Sequence, residues 1–164
     1  MIVIGLGGNL PSQFGSPSGT LLAAVHALGQ RAVIVRRLSP LYETAPVPVS
    51  DQPWYVNGVA AVETPLRPAD LLLTLQRIEA QFGRVRTVRN AARVIDLDIL
   101  DYNGQLVDEA GLKLPHPRLA ERAFVLYPLR DIAPAWRHPV TGKTIDALIA
   151  ELPKEQQIRR MSGD

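Results

Sequence analysis

Apolar patterns of period 2 and period 3.6 alternate along the 164 residues as strand, helix, strand, strand, helix, strand. That order predicts an α+β fold: a mainly antiparallel sheet of ferredoxin-like βαββαβ type with helices packed on it. Two further observations support the prediction. The strands either side of residues 45–53 have no helix between them, whereas a doubly wound parallel sheet needs one at nearly every crossover. Each helical stripe also carries its own start and stop signals. The length fits one core, so a single domain over 1–164 is expected, less ordered after about residue 153.

The elements follow in order. Ile2-Val3-Ile4-Gly5-Leu6-Gly7-Gly8-Asn9 is a short apolar run ending in glycines, a buried strand entering a turn. Ser16 as N-cap, Pro17 at the first helical position and Gly29 as the stop bracket a helix with Leu21, Val25 and Leu28 on its buried stripe. Residues 32–44 have the β-branched enrichment of a strand. Ala45 to Pro53 holds three prolines, which remove backbone donors and fix φ, so it is a loop. Tyr55 to Glu63 resumes a strand, with Val56, Ala60 and Val62 on one face and Tyr55, Asn57, Val59 and Ala61 on the other.

Pro68 starts a second helix, with Leu71, Leu75, Ile78 and Phe82 on one stripe and Gly83 just past its end. Val94 to Tyr102 is a strand closed by an Asn103-Gly104 turn. Phe124 to Leu129 is apolar enough for a last buried strand. Thr144 caps a short helix lined by Ile145, Leu148, Ile149 and Leu152, and the polar tail after Pro153 is expected to fray.

Composition narrows the function classes. With no cysteine there is neither a disulfide nor a thiolate zinc site, which fits a cytoplasmic setting. The longest apolar runs fall far short of the roughly 18 residues of a membrane span. The pI of 9.2 hints at nucleic acid, but fifteen of the eighteen basic residues are arginine, whose planar fork suits phosphate in general. RNA-reading ferredoxin-like domains need a basic–Gly–aromatic–Gly–aromatic pattern on their central strands, and none occurs here. No nucleic-acid or membrane partner is expected, and the chain is expected to act as a monomer or weak dimer.

Nucleotide motifs give two near-misses. Gly142-Lys143-Thr144 ends like a P-loop but has Arg137 where that motif needs glycine, and Gly5-Leu6-Gly7-Gly8-Asn9-Leu10 puts Leu10 where a dinucleotide fingerprint needs its last glycine. The sharper signal is Asp96-Leu97-Asp98 within an apolar run. Alternation puts Ile95, Leu97 and Ile99 on one face and both acids on the other, their Cα atoms about 6.5 Å apart. Such a pair resists burial without a cation, and hard oxygen ligands select Mg²⁺ or Mn²⁺; an acid pair on a solvated strand face has the same spelling. Arg84, Arg86, Arg89 and Arg93, within ten residues free of acids, shift the balance towards a site, because carboxylates, a metal and arginines are the equipment of phosphoryl-type transfer. A metal-dependent nuclease would use similar parts. Tyr55 and Asn57, i and i+2 beside the proline-rich loop, suit a flat heterocycle and are equally ordinary in a strand.

Taken together, the chain resembles the 6-hydroxymethyl-7,8-dihydropterin pyrophosphokinases of folate biosynthesis. The blocks that carry the resemblance are Gly7-Gly8-Asn9-Leu10, Tyr42-Glu43-Thr44-Ala45-Pro46, Asp51-Gln52-Pro53-Trp54-Tyr55-Val56-Asn57, Gln76-Arg77-Ile78-Glu79 and Gly83-Arg84-Val85-Arg86. Arg93-Val94-Ile95-Asp96-Leu97-Asp98-Ile99, Pro115-His116-Pro117-Arg118 and Glu121-Arg122-Ala123-Phe124-Val125-Leu126 complete them. The resemblance implies a ferredoxin-like α+β fold and transfer of the pyrophosphoryl group of ATP to the pterin hydroxymethyl group, with AMP released; the absence of cysteine and of a convincing nucleophile with a paired base predicts direct in-line displacement. The resemblance further implies that Asp96 and Asp98 hold two Mg²⁺ ions and that Arg84 and Arg93 support the transfer. Gln76, Glu79, Arg86, Arg93, Ile99, His116 and Arg122 would line the ATP site. Thr44, Pro46, Val47, Tyr55, Asn57 and Phe124 would form the pterin pocket, with the loops at 10–16, 45–53 and 84–93 as covers. Where many relatives carry a tryptophan and then Gly-Pro-Arg, this chain has Arg89-Asn90-Ala91-Ala92-Arg93.

Overall fold

The computed structural model describes residues 1–84 and 92–162. Strand β1 (Ile2–Gly8) leads into α1 (Pro17–Gly29), whose N-cap Ser16 accepts a hydrogen bond from the N–H of Gly19. Leu21, Ala24 and Leu28 are its buried stripe, and Val25 packs at the margin. The segment expected as one strand over 32–44 forms two, β2 (Ile34–Leu38) and β3 (Tyr42–Thr44). Pro40 has no N–H to give a ladder, and Ser39 turns inward instead: its N–H donates to Val59 O and its Oγ accepts from Val59 N, both at 2.9 Å.

Strand β4 (Tyr55–Glu63) pairs with both pieces, β2 along Ala60–Glu63 and β3 along Tyr55–Asn57. Between them lies Gly58, where a Cβ would come within 2.8 Å of Leu41 Cδ2. Next come α2 (Pro68–Gln81) and β5 (Asp96–Tyr102). Asn103 and Gly104 both take positive φ and close the expected turn. A small hairpin follows, β6 (Val107–Glu109) with β7 (Leu112–Leu114).

With β2 and β3 counted as one broken strand, the sheet runs β5, β1, β4, β2/β3, every pairing antiparallel. This is the strand order of the ferredoxin-like fold that the element order predicted.

Two later segments depart from expectation. Residues 124–129 lie within a helix, α3 (Ala123–Ile132), not a strand. Its buried residues Val125, Leu129 and Ile132 recur at i, i+4 and i+7, a helical spacing, but a run this short and apolar fits a buried strand equally well. Pro128 inside it also reads as a helix breaker, since it can give no bond to the Phe124 carbonyl. After α4 (Ile145–Ala150), capped as expected by Thr144, the described part of the tail includes a strand, β8 (Ile158–Arg160), which adds to the outer edge of β3. The tail is polar because an edge strand has one wet side.

Helices cover both faces of the sheet. On one, Ile2, Ile4, Leu6, Ala60, Val62, Leu97 and Ile99 meet α1 and α2; on the other, Val3, Val59, Ala61 and Leu100 meet α3 and α4. Each fully buried aliphatic side chain contributes about 1.5–3 kcal/mol relative to exposure. Among the described residues no helix is long and apolar enough to cross a membrane.

Candidate active site

The α3 face of the sheet changes character along its length. Beneath α3 it is apolar: Val3 on β1, Ala61 and Val59 on β4, Leu100 on β5. Two residues further along each strand it becomes the floor of an open cavity. Gly7 is paired with Asp96 on one side and Asn57 on the other, and Gly5 with Asp98 and Val59. The alternation read from the sequence therefore holds, with Asp96, Asp98, Tyr55 and Asn57 all on this face and Leu97, Ile99, Val56 and Ala60 in the core beneath. Glycine at position 7 keeps the floor low, since a Cβ there would lie 2.5 Å from Asn57 Oδ1.

The cavity, of about 600 Å³, is lined by Asp96 and Arg93, by Thr44, Tyr55 and Asn57, and by Arg122 and Phe124. Asn57 Nδ2 donates to Thr44 Oγ1 at 2.7 Å, and Tyr55 Oη donates to Gln52 Oε1 at 3.2 Å. Burial raises the Tyr55 pKa, opposed by Arg93. The guanidinium carbon of Arg122 sits 5.2 Å from the centre of the Phe124 ring. Val47 joins the lining, and buried Pro46 stands beside it in the chain.

At the carboxylate end, Arg84 bridges the sheet edge. Its Nη1 pairs with Glu79 of α2 and, at 2.7 Å, with Asp96 Oδ1; Arg93 Nη1 reaches Asp96 Oδ2 at 3.3 Å. Burial lowers the Arg84 pKa, but Asp96 and Glu79 outweigh it and hold the group above its ordinary value. Glu79, buried in α2, accepts the N–H of Leu97 at 2.9 Å; burial pushes its pKa up, opposed by that bond and by Arg84. Burial first, then the Asp96 charge, push Asp98 up to about 7, against the pull of Arg122. Burial and the neighbouring Arg122 bring His116 down to about 4. Neutral at pH 7, its Nδ1 accepts from the Arg118 N–H at 3.1 Å, which leaves the proton on Nε2.

The other expected site residues lie elsewhere. Gln76 is exposed on α2, and Ile99 points into the core on the opposite face, so only its backbone adjoins the acids. Arg86, Arg89 and Asn90 lie outside the described residues.

Reasoning from sequence gave no role to Asn9, which is 2% exposed. Its Nδ2 donates to Gln52 Oε1 at 2.8 Å and to Pro53 O at 3.0 Å, while its Oδ1 accepts the Arg93 N–H at 2.9 Å. One amide thus ties the proline-rich loop to the arginine segment. Its only signal was a donor–acceptor side chain directly after two glycines at a strand end.

A divalent cation fits the residues present. Two carboxylates share one face, and a glycine sits opposite each across β1; burial, and then the Asp96 charge, both oppose a second negative charge on Asp98 unless a cation is present. Among the described residues no group of three or more His, Asp or Glu side chains forms a full cage. Magnesium does not need one, because it takes one or two carboxylates and completes its shell with water and phosphate.

An acid pair and arginines beside an open cavity suit an enzyme class, that of phosphoryl-group transferases. Comparison with known proteins narrows the class. Residues 3–134 match the family model of 7,8-dihydro-6-hydroxymethylpterin-pyrophosphokinase, and the chain belongs to that family. It is 45% identical over 166 residues to the 2-amino-4-hydroxy-6-hydroxymethyldihydropteridine pyrophosphokinase of Pseudomonas aeruginosa, covering 99% of this chain and 97% of that one. The Bacillus subtilis protein of the same name is 39% identical over 138 residues, 84% of this chain and 83% of its own. Among solved structures, a Plasmodium falciparum HPPK-DHPS crystal structure superposes with a TM-score of 0.72 at 17% identity, a likeness of fold. That match covers 91% of this chain and 43% of the longer one.

Proposed function

We propose that this cavity runs the family's reaction on this chain's own residues: the pyrophosphoryl group of ATP passes to the hydroxymethyl oxygen of 6-hydroxymethyl-7,8-dihydropterin. The alcohol oxygen attacks the β-phosphorus, the bond from that phosphorus to the α-phosphate oxygen breaks, AMP leaves, and the hydroxyl proton goes to solvent. The observation that carries this reading is the common floor. Asp96 and Asp98 lie on the same sheet face as Asn57 and Tyr55, with one glycine strand between, so phosphates held by the acids' metal and a ring held by the amide would meet.

Asp96 and Asp98 would hold Mg²⁺, two ions by family resemblance. Bound there, the metal would lower the alcohol's pKa and shield the triphosphate. Arg84 and Arg93, paired with Asp96, would meet charge that develops on the transferring group. Glu79 keeps Arg84 at the sheet edge. Arg122 and neutral His116 adjoin the same end and suit the nucleotide, a donor on Nε2 being available without a competing positive charge. Gln76, Arg86 and the backbone of Ile99 complete the ATP assignments by resemblance. For the pterin, Asn57 and Thr44 offer an amide and a hydroxyl in a fixed relation, while Tyr55, Pro46, Val47 and Phe124 supply apolar and aromatic walls.

Incubation with ATP, Mg²⁺ and the reduced pterin alcohol tests this, with AMP followed by chromatography. AMP should form only when the pterin is present, in equal amount to pterin consumed. AMP formed without pterin, or none formed at all, would refute the assignment.

A further inference from the structure

The family match ends at residue 134, yet Pro153 and Gln156 line the same cavity. Two sets of bonds put them there. Along β3, strand β8 pairs Ile158 with Thr44 and Arg160 with Tyr42, and the Ala45 N–H donates to Gln157 O at 3.1 Å. Arg159 adds an ion pair to Glu43 at 2.5 Å and lies 5.1 Å over the Trp54 ring. On the opposite wall, the Gln156 side chain straddles Arg122: its Oε1 accepts the Ala123 N–H at 2.8 Å, and its Nε2 donates to Glu121 O at 2.7 Å.

That pair of bonds matters because of where α3 begins. The first amides of a helix have no intrahelical acceptor. Arg122 is the N-cap of α3 and makes no side-chain capping bond. Gln156 supplies the cap from 33 residues away. By fixing the peptides on both sides of Arg122, it sets the direction of the Arg122 side chain and, two residues on, of Phe124.

We infer that residues 153–161 form a clasp joining the two walls of the cavity, and that Gln156 is a positioning residue that aims Arg122 and Phe124 at the substrates. The inference rests on the function proposed above. The β8 side holds the wall containing Thr44, the Gln156 side holds the wall containing Phe124, and the span between fixes their separation. A planar pterin needs that separation constant, since stacking and edge hydrogen bonding are both lost with small displacements.

The test compares Gln156→Ala with Gln156→Glu, which keeps an acceptor for Ala123 but loses the donor to Glu121, and with Gln157→Ala, which truncates a neighbour that contributes only its carbonyl. Amide exchange at Ala123, read by NMR, should quicken in Gln156→Ala, recover in Gln156→Glu and stay unchanged in Gln157→Ala. In Gln156→Ala, kcat/KM for the pterin should fall about tenfold to a hundredfold, mostly through KM, with an intermediate loss in Gln156→Glu. Unchanged exchange at Ala123, or unchanged pterin kinetics beside an active wild type, would overturn the clasp alone. A wild type that makes no AMP would overturn the function it rests on, while the exchange arm still reports whether Gln156 caps the helix.

Discussion

Asp98 binds its proton far more tightly than an ordinary aspartate because burial and Asp96 both oppose its charge, and this makes stability depend on pH. A raised folded-state pKa means that the stability Asp98 supports is complete below its ordinary value near 4 and is lost as pH rises through about 7. Without divalent cation, the wild type should therefore lose on the order of 2 kcal/mol from this group between pH 5 and pH 8. Asp98→Asn should lack that loss, match or exceed the wild type's melting temperature at pH 8, and yet turn over at least about a thousandfold more slowly. Paired melting curves and AMP assays check both halves. A variant that melts like the wild type at both pH values and still turns over would remove Asp98 from the site.

The neighbouring glycines make a second residue-scale contrast. A Cβ at position 7 clashes with the Asn57 amide, at 2.5 Å, and keeps ordinary contact with the Val56 carbonyl at 3.7 Å, whereas one at position 8 meets the Val94 carbonyl at 2.4 Å. An amide side chain can swing away and a backbone carbonyl cannot. Gly7→Ala should raise the pterin KM about tenfold, a loss worth about 1.4 kcal/mol, with a melting temperature within a few degrees of wild type. Gly8→Ala should instead melt well below it. Equal behaviour of the two variants in both measurements would contradict the placement of Asn57 over Gly7.

At the scale of elements, α3 carries the second core and the roof of the cavity at once. Leu129 is fully buried among Val125, Leu126 and Trp136. Leu129→Ala should cost about 2–5 kcal/mol, read from denaturant midpoints, and it should weaken pterin binding less than it weakens the fold, because the bonds of Gln156 hold the helix start separately. Two of the elements that differ from the sequence expectation, α3 and β8, share a cause. Each owes its form to a partner far along the chain: α3 to the sheet face it covers and to Gln156, β8 to the edge of β3. No local pattern reports such partners. Pro40 was visible as a letter, but that it divides one strand into two depends on Ser39 turning to bond Val59.

For the whole molecule, what could be read in advance was whatever alternation or capping determines. The order of the central strands, the stripes of α1 and α2, the caps Ser16 and Thr144, and the common face of Asp96, Asp98, Tyr55 and Asn57 were all legible, because period 2 and period 3.6 are local properties. The long-range ties were not. Asn9 joining Gln52 to Arg93, Glu79 capping the Leu97 amide, and the return of residues 153–161 to the cavity each need the folded path before they can be seen.

The irregular pairing between β1 and β5 at Val3 and Ile4 carries one more consequence. Up to Leu100 the even-numbered positions of β5 face α3, but Asp101, bonded to Trp136 Nε1 at 2.8 Å, faces it as well, and Tyr102 turns to the other core. The strand thus has two independent parities, one for each end. Losing or gaining a single residue at the bulge would disturb the buried join with Trp136 and cost stability while both acids kept their outlook, whereas the same change between Asp96 and Asp98 would turn one acid into the core.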